Sequence, residues 1–127
     1  MPSQPPRILV VDDNDDNLML LQFFLEAEGY LVETVNSGKL VLSKIRATSP
    51  DLVLLDVMMP EVNGYEVTKA IRQEAKLQSL PIVLITADTR INREQSLKVG
   101  ANDVLPKPVD FNLLLAILHQ WCNSRAA

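Results

Sequence analysis

Short apolar runs and helically spaced apolar residues alternate along the chain in a regular order. Ile8-Leu-Val-Val11 is a continuous apolar run that ends abruptly at Asp12 and Asp13, as a strand buried on both faces does. From Asn14 the period lengthens: Leu18, Leu21, Phe24 and Leu25 recur at helical spacing, with Asn14 as N-cap and Gly29 as stop. Leu31 to Val35 alternates like an edge strand, and Leu40, Val41, Leu42 and Ile45 predict a second amphipathic helix ending before Pro50. Leu52-Val-Leu-Leu55 repeats the first strand's pattern and again ends in an acid, Asp56, before a loop punctuated by Pro60 and Gly64. A helix from about Tyr65 to Ala75 carries Val67 and Ile71 inward, and Pro81 opens the run Ile82-Val-Leu-Ile85, closed by Thr86. The fourth helix is predicted near Asn92 to Val99, stopping at Gly100. A short strand at Val104-Leu105, the segment Pro106-Lys107-Pro108 and a last helix from Asp110 to about Cys122 complete the chain.

Five strand and helix pairs in unbroken alternation predict an α/β fold: a doubly wound, flavodoxin-like parallel sheet of (βα)5 type with strand order 2-1-3-4-5 and right-handed crossovers. A chain of 127 residues, 47% hydrophobic and 22% charged, suits one globular domain. We expect a flexible segment over residues 1–6, the domain over 7–122 and a tail over 123–127. Net charge is −4 with Lys and Arg scattered, so no basic stripe supports direct nucleic-acid binding. No apolar run approaches a membrane-spanning length and no signal-peptide pattern opens the chain. The single cysteine, Cys122, reads as a helix packing residue in a cytoplasmic protein.

Parallel strands point their carboxyl ends to one edge, and open α/β sheets bind ligands there, where the strand order reverses. Strands 1 and 3 are neighbours at that point, so Asp12, Asp13 and Asp56 are expected in one small acidic pocket. Two like charges ~4 Å apart cost roughly 4 kcal/mol at an effective dielectric near 20, so such a cluster either raises a pKa or holds a cation. All-oxygen ligands without Cys or His favour Mg²⁺ or Mn²⁺, and few protein carboxylates suit Mg²⁺ better than a Ca²⁺ cage. Thr86 and Lys107 bring a hydroxyl donor and an ammonium to the same edge. Together these are the parts that phosphoryl transfer to a carboxylate nucleophile, Asp56, requires.

The set Asp12-Asp13, Asp56-Val-Met-Met-Pro60 with Gly64, Thr86-Ala87 and Lys107-Pro108, in this order and at these strand ends, resembles a response-regulator receiver domain over about Arg7 to Trp121. The resemblance implies that Asp56 accepts a phosphoryl group from a phosphohistidine on a sensor histidine kinase or histidine phosphotransfer protein, and that the domain then signals to a downstream protein. It implies Mg²⁺ bound by Asp13, Asp56 and the Met58 carbonyl, with Asp12 acting largely through water. It assigns Thr86 to the phosphoryl oxygen and Lys107 to the phosphate, and it implies a cis peptide between Lys107 and Pro108. On this reading the domain catalyses only its own phosphorylation and dephosphorylation.

The chain departs from the family at Val104, where receivers usually carry Tyr or Phe. Valine has no large ring to swing inward, so output is expected through a weaker rearrangement, or the domain relays and drains phosphoryl groups. Met58 and Asp88, each two residues beyond a key residue, flank the expected water route and should tune the acyl phosphate's lifetime. Asp12 and Asp13 alone would read as helix-capping acids, and Asp15 and Asp16 read as solvated first-turn acids. His119, on the last helix, reads as a surface residue rather than a phosphodonor. The last helix is too apolar for a one-sided stripe: either Leu114, Ile117, Leu118 and Trp121 face the sheet and the rest are scattered surface residues, or the surplus is a contact face for a partner or a second copy. A phosphate-ester hydrolase would place an acid where Met58 stands, and a flavin site would want a Ser, Thr and Gly loop where Asp13-Asn-Asp-Asp16 stands.

Overall fold

The computed structural model describes residues 5–88 and 93–126. The first four residues of the expected flexible segment, the expected helix start at Asn92 and the last residue of the expected tail lie outside them. The strands are β1 (Arg7–Val11), β2 (Leu31–Val35), β3 (Leu52–Asp56), β4 (Ile82–Thr86) and β5 (Asp103–Pro106). The α-helices are α1 (Asp15–Ala27), α2 (Val41–Thr48), α3 (Gly64–Gln73), α4 (Arg93–Lys98) and α5 (Phe111–Ala126). All strand pairs are parallel, in the expected order β2-β1-β3-β4-β5, which leaves β2 and β5 at the rims.

The period of two along the strands divides the core into two layers. Leu9, Val11, Val53, Leu55, Ile82 and Leu84 pack with Val41 and Ile45 of α2 and Val67 and Ile71 of α3. Their alternating neighbours, including Ile8, Val10, Leu52 and Leu54, pack with Leu18, Leu21 and Leu25 of α1 and with Leu114, Ile117, Leu118 and Cys122 of α5. The central strands are buried throughout, which explains why they read as continuous apolar runs rather than alternating ones.

Helix boundaries follow local chemistry. Asn14 caps α1 by accepting from the Asn17 amide, and Gly29, with φ +94°, ends that segment in a conformation that favours glycine. Asn63 caps α3 in a reciprocal capping box with Glu66. Helix α3 stops at Gln73 and a 3₁₀ turn over Ala75–Leu77 replaces the expected continuation to Ala75. Strand β5 is longer than Val104-Leu105, and α5 continues to Ala126, four residues past the end expected near Cys122, so residues 123–126 extend the helix.

On α5, Leu114, Ile117 and Leu118 are buried and Trp121 packs against the same layer, whereas Leu113 is exposed. The sheet thus takes the stripe of Leu114, Ile117, Leu118 and Trp121, and Leu113 lies outside it. His119 is exposed and Cys122 is buried. Helix α4 is fastened from three sides: Tyr65 Oη and Ser96 Oγ lie 3.0 Å apart, Arg93 pairs with buried Asp103, and Arg72 Nε donates to the Gly100 carbonyl at 2.9 Å.

Candidate functional site

At the carboxyl edge of the sheet the polar strand ends converge. Asp12 follows β1, and its backbone N–H donates to the Val35 carbonyl at the end of β2. Asp56 is the last residue of β3 and pairs in register with Ile85, one residue before Thr86. Pro106, the register partner of Thr86, is followed by Lys107, whose N–H donates to the Thr86 carbonyl at 2.9 Å. The Lys107-Pro108 bond is cis, as the resemblance implied.

Asp12 and Asp56 are buried, and Asp13 is exposed. One carboxylate oxygen from each lies within 4.8 Å of the others, so the acidic pocket exists as expected. Asp15 and Asp16 are exposed on the first turn of α1 and do not join that group. Lys107 Nζ donates to Asp56 Oδ2 at 3.1 Å and to Asp12 Oδ2 at 3.4 Å. The second Asp56 oxygen accepts from the Met58 backbone N–H at 3.1 Å. Thr86 Oγ1, also buried, accepts from the Asp88 backbone N–H at 3.0 Å, which leaves its own O–H available to donate.

Burial pushes the Asp56 pKa up and the negative charge of Asp12 adds to it, against the lowering by the Met58 hydrogen bond and Lys107. For Lys107, burial works against the ammonium, but the hydrogen bond and charge of Asp56, with Asp12 behind them, prevail and raise its pKa. The residues suit a hard divalent cation: three carboxylates, no soft ligand, and excess negative charge against one ammonium.

Two residues complete the geometry. A Cβ on Gly64 would stand 2.8 Å from the Asp56 carbonyl oxygen and from Val57 Cα, so only glycine lets the start of α3 lie against the strand that carries Asp56. Asn17, on the first turn of α1, donates from Nδ2 to Asp12 Oδ2 at 3.3 Å. Sequence reasoning noted Gly64 as loop punctuation and passed over Asn17, whose only signal is a polar side chain in the turn that follows the acid pair.

An open parallel sheet with a carboxylate, a hydroxyl and an ammonium gathered over an acidic, cation-ready pocket is the arrangement of a phosphoacceptor signalling module. Residues 8–119 match the family model described as the response regulator receiver domain, and the chain belongs to that family. It is 44% identical over 111 residues to the response regulator PleD of Caulobacter vibrioides, covering 87% of this chain but 24% of PleD. The chain thus spans about a quarter of that relative's length. A crystal structure of a putative response regulator from Chloroflexus aurantiacus superposes with a TM-score of 0.88 at 32% identity, over 94% of this chain and 98% of that one. The receiver domain of a Pseudomonas aeruginosa sensor histidine kinase, described with a magnesium ion coordinated in its active site cleft, gives a TM-score of 0.85 at 30% identity, over 94% and 98%. Receiver domains act with histidine kinases and downstream effectors. Among the described residues no helix is long and apolar enough to cross a membrane.

Proposed function

We propose that residues 7–122 form a receiver in which Asp56 takes a phosphoryl group from the phosphohistidine of a sensor histidine kinase or histidine phosphotransfer protein. An Asp56 carboxylate oxygen attacks phosphorus, the phosphorus–nitrogen bond breaks, and the electron pair leaves with the imidazole, so an acyl phosphate forms. The observation that carries this reading is the position of Lys107 Nζ, bonded to Asp56 and Asp12 together at the edge where Asp13 also stands. An ammonium there is placed to follow charge from the carboxylate onto a phosphoryl oxygen. Thr86, one register step from Asp56, offers its hydroxyl to another oxygen of that group.

Asp12, Asp13 and Asp56, with the Met58 carbonyl, are the groups we assign to Mg²⁺. When bound there, the ion neutralises negative charge on the transferring oxygens. Everything else falls to the protein's own side chains: burial of Asp56, fixed donors at Thr86 and Lys107, and an open approach beside α1. A cytoplasmic setting, with Cys122 reduced and buried, suits a domain that meets a kinase or relay partner.

The reading is tested by incubation with acetyl phosphate or phosphoramidate and Mg²⁺, followed by intact mass. One phosphoryl group added to the parent and none to Asp56→Asn is the expected result. No adduct on the parent, or an adduct that persists in Asp56→Asn, overturns it.

Output is assigned to the face of α4, β5 and α5, and from there to a downstream protein. Val104 is partly buried against the α2 and α3 layer and has no ring to change its environment. Transmission there runs through a small rearrangement, or the domain chiefly relays phosphoryl groups.

A further inference from the structure

We infer that Asn17 is a positioning residue of the phosphorylation site, holding the Asp12 carboxylate in place so that Lys107 is free to turn toward a phosphoryl group on Asp56. The inference rests on the function proposed above. Its basis is an unusual use of a helix start. Asn14 caps α1 by accepting from the Asn17 backbone N–H at 3.1 Å. In a reciprocal capping box the side chain three residues on would return to the cap residue's own N–H. Here that N–H is already taken: Asn14 N donates to Asp12 Oδ1 at 2.9 Å. The Asn17 side chain reaches past the cap to Asp12 Oδ2 instead, at 3.3 Å.

Asp12 is thus gripped on both oxygens, Oδ1 by a backbone amide and Oδ2 by Asn17 and Lys107 together. An ionised carboxylate only accepts, so Asn17 must present its NH₂ to it. The two donors on Oδ2 are not equivalent. Lys107 also bonds Asp56 Oδ2, the atom group whose charge changes on phosphorylation, and it must reorient when a phosphoryl oxygen replaces the free carboxylate. Asn17 has no such second task. When Lys107 turns away, Asn17 keeps the buried oxygen of Asp12 hydrogen-bonded, which avoids the cost of a buried unsatisfied acceptor. Asn17 also lines the groove shared by Asp12, Lys107, Leu20 and Leu21, so its neutral amide adds no further negative charge where an anionic donor enters.

A bland reading of Asn17 is that it serves only the first turn of α1. Helix needs and site needs can be separated, because Asn17 contributes to the cap through its backbone, which every substitution keeps. Asn17→Leu is close in volume and lacks the donor; Asn17→Gln keeps an amide donor on a longer arm. Mg²⁺ affinity of the unphosphorylated protein is read from the amide shifts of Asn14 and Met58 in a titration, and phosphorylation from the adduct rate with phosphoramidate at saturating Mg²⁺. Groups that orient metal-binding side chains commonly change metal affinity or activity by about tenfold or more when removed. Asn17→Leu is expected to lose about tenfold in Mg²⁺ affinity and in adduct rate, with Asn17→Gln recovering most of both and all three proteins melting alike in EDTA. If Asn17→Leu does not fold, Asn17→Ala takes its place in the comparison. Parent-like affinity and rate in the donor-free variant overturn the inference while leaving the proposed function standing. A parent that binds no Mg²⁺ and gains no phosphoryl group overturns both.

Discussion

The charges at the sheet edge oppose the fold that holds them. Asp56 has its pKa raised by burial and by Asp12, so the folded chain binds a proton there more readily than the unfolded chain does. A carboxyl raised in this way costs stability once ionised: its contribution declines as pH rises from the ordinary carboxylate range through the folded value above it. Asp56→Asn removes the ionised form and can still accept from the Met58 amide. The variant should therefore melt higher than the parent in EDTA near neutral pH, by on the order of 1 kcal/mol, and the difference should shrink on acidification. Calorimetric melts across pH check this, and an Asp56→Asn protein that melts lower at neutral pH would refute it. Asp88 supports a second expectation. Its backbone N–H is bonded to Thr86 Oγ1, which ties this residue to the hydroxyl assigned to the phosphoryl oxygen. Replacing Asp88 with Ala should alter the half-life of the phosphorylated protein several-fold and leave Mg²⁺ affinity within about twofold, as followed by the decay of the mass adduct. Equal half-lives would remove that role.

Among the elements, the start of α3 is held close to strand backbone. Its N-terminal glycine lies against the backbone of Asp56 and Val57, and its N–H donates to the Val57 carbonyl at 2.9 Å. Gly64→Ala forces a methyl into backbone that cannot yield, a clash worth about 1–3 kcal/mol, and denaturant melts should show that loss together with slower phosphorylation. The α4 and β5 elements allow a second test. If Val104 leaves this face without a large switch, a beryllofluoride mimic should move amide resonances strongly around Asp56, Thr86 and Lys107 and only modestly along α4 and β5. Large shifts across both elements would count against the weak-coupling reading.

The sequence makes the elements legible unevenly, and for physical reasons. The central strands were readable because burial on both faces leaves little but Val, Ile and Leu. Gly29 and Gly100 marked helix ends because their φ values are positive. The split of α3 near Gln73 was not readable, since nothing between Gln73 and Ala75 breaks the helical pattern; there Arg72 donates from Nη1 to the nearby Leu77 carbonyl and from Nη2 to the distant Asn102 Oδ1, a pairing no local pattern encodes. In the site, Asp12, Asp13, Asp56, Thr86 and Lys107 were legible because strand ends in a parallel sheet share one edge. Asn17 was not, because its side chain returns to an acid five residues earlier by a route no periodicity encodes.

For the molecule as a whole, the acidic pocket couples stability to its surroundings. A cation that binds only the folded chain stabilises it by mass action, about 2.7 kcal/mol at a hundredfold excess over the dissociation constant. Mg²⁺ should raise the melting temperature, EDTA should reverse the rise, and Asp13→Asn should abolish most of it; an unchanged rise in that variant would take Asp13 out of the cation site.

The strand order has a consequence for how copies of this chain can meet. A five-stranded parallel sheet ends in two unpaired rims, and bare rims invite strand-to-strand growth. Here β2 carries Glu33, engaged by Lys44 at 3.3 Å, and β5 carries the buried carboxylate of Asp103, paired with Arg93, charges that disfavour a further strand. Both rims are thereby blunted against fibrillar stacking, and self-association is steered toward the helices, whose surfaces can be altered without disturbing the backbone ladder beneath them.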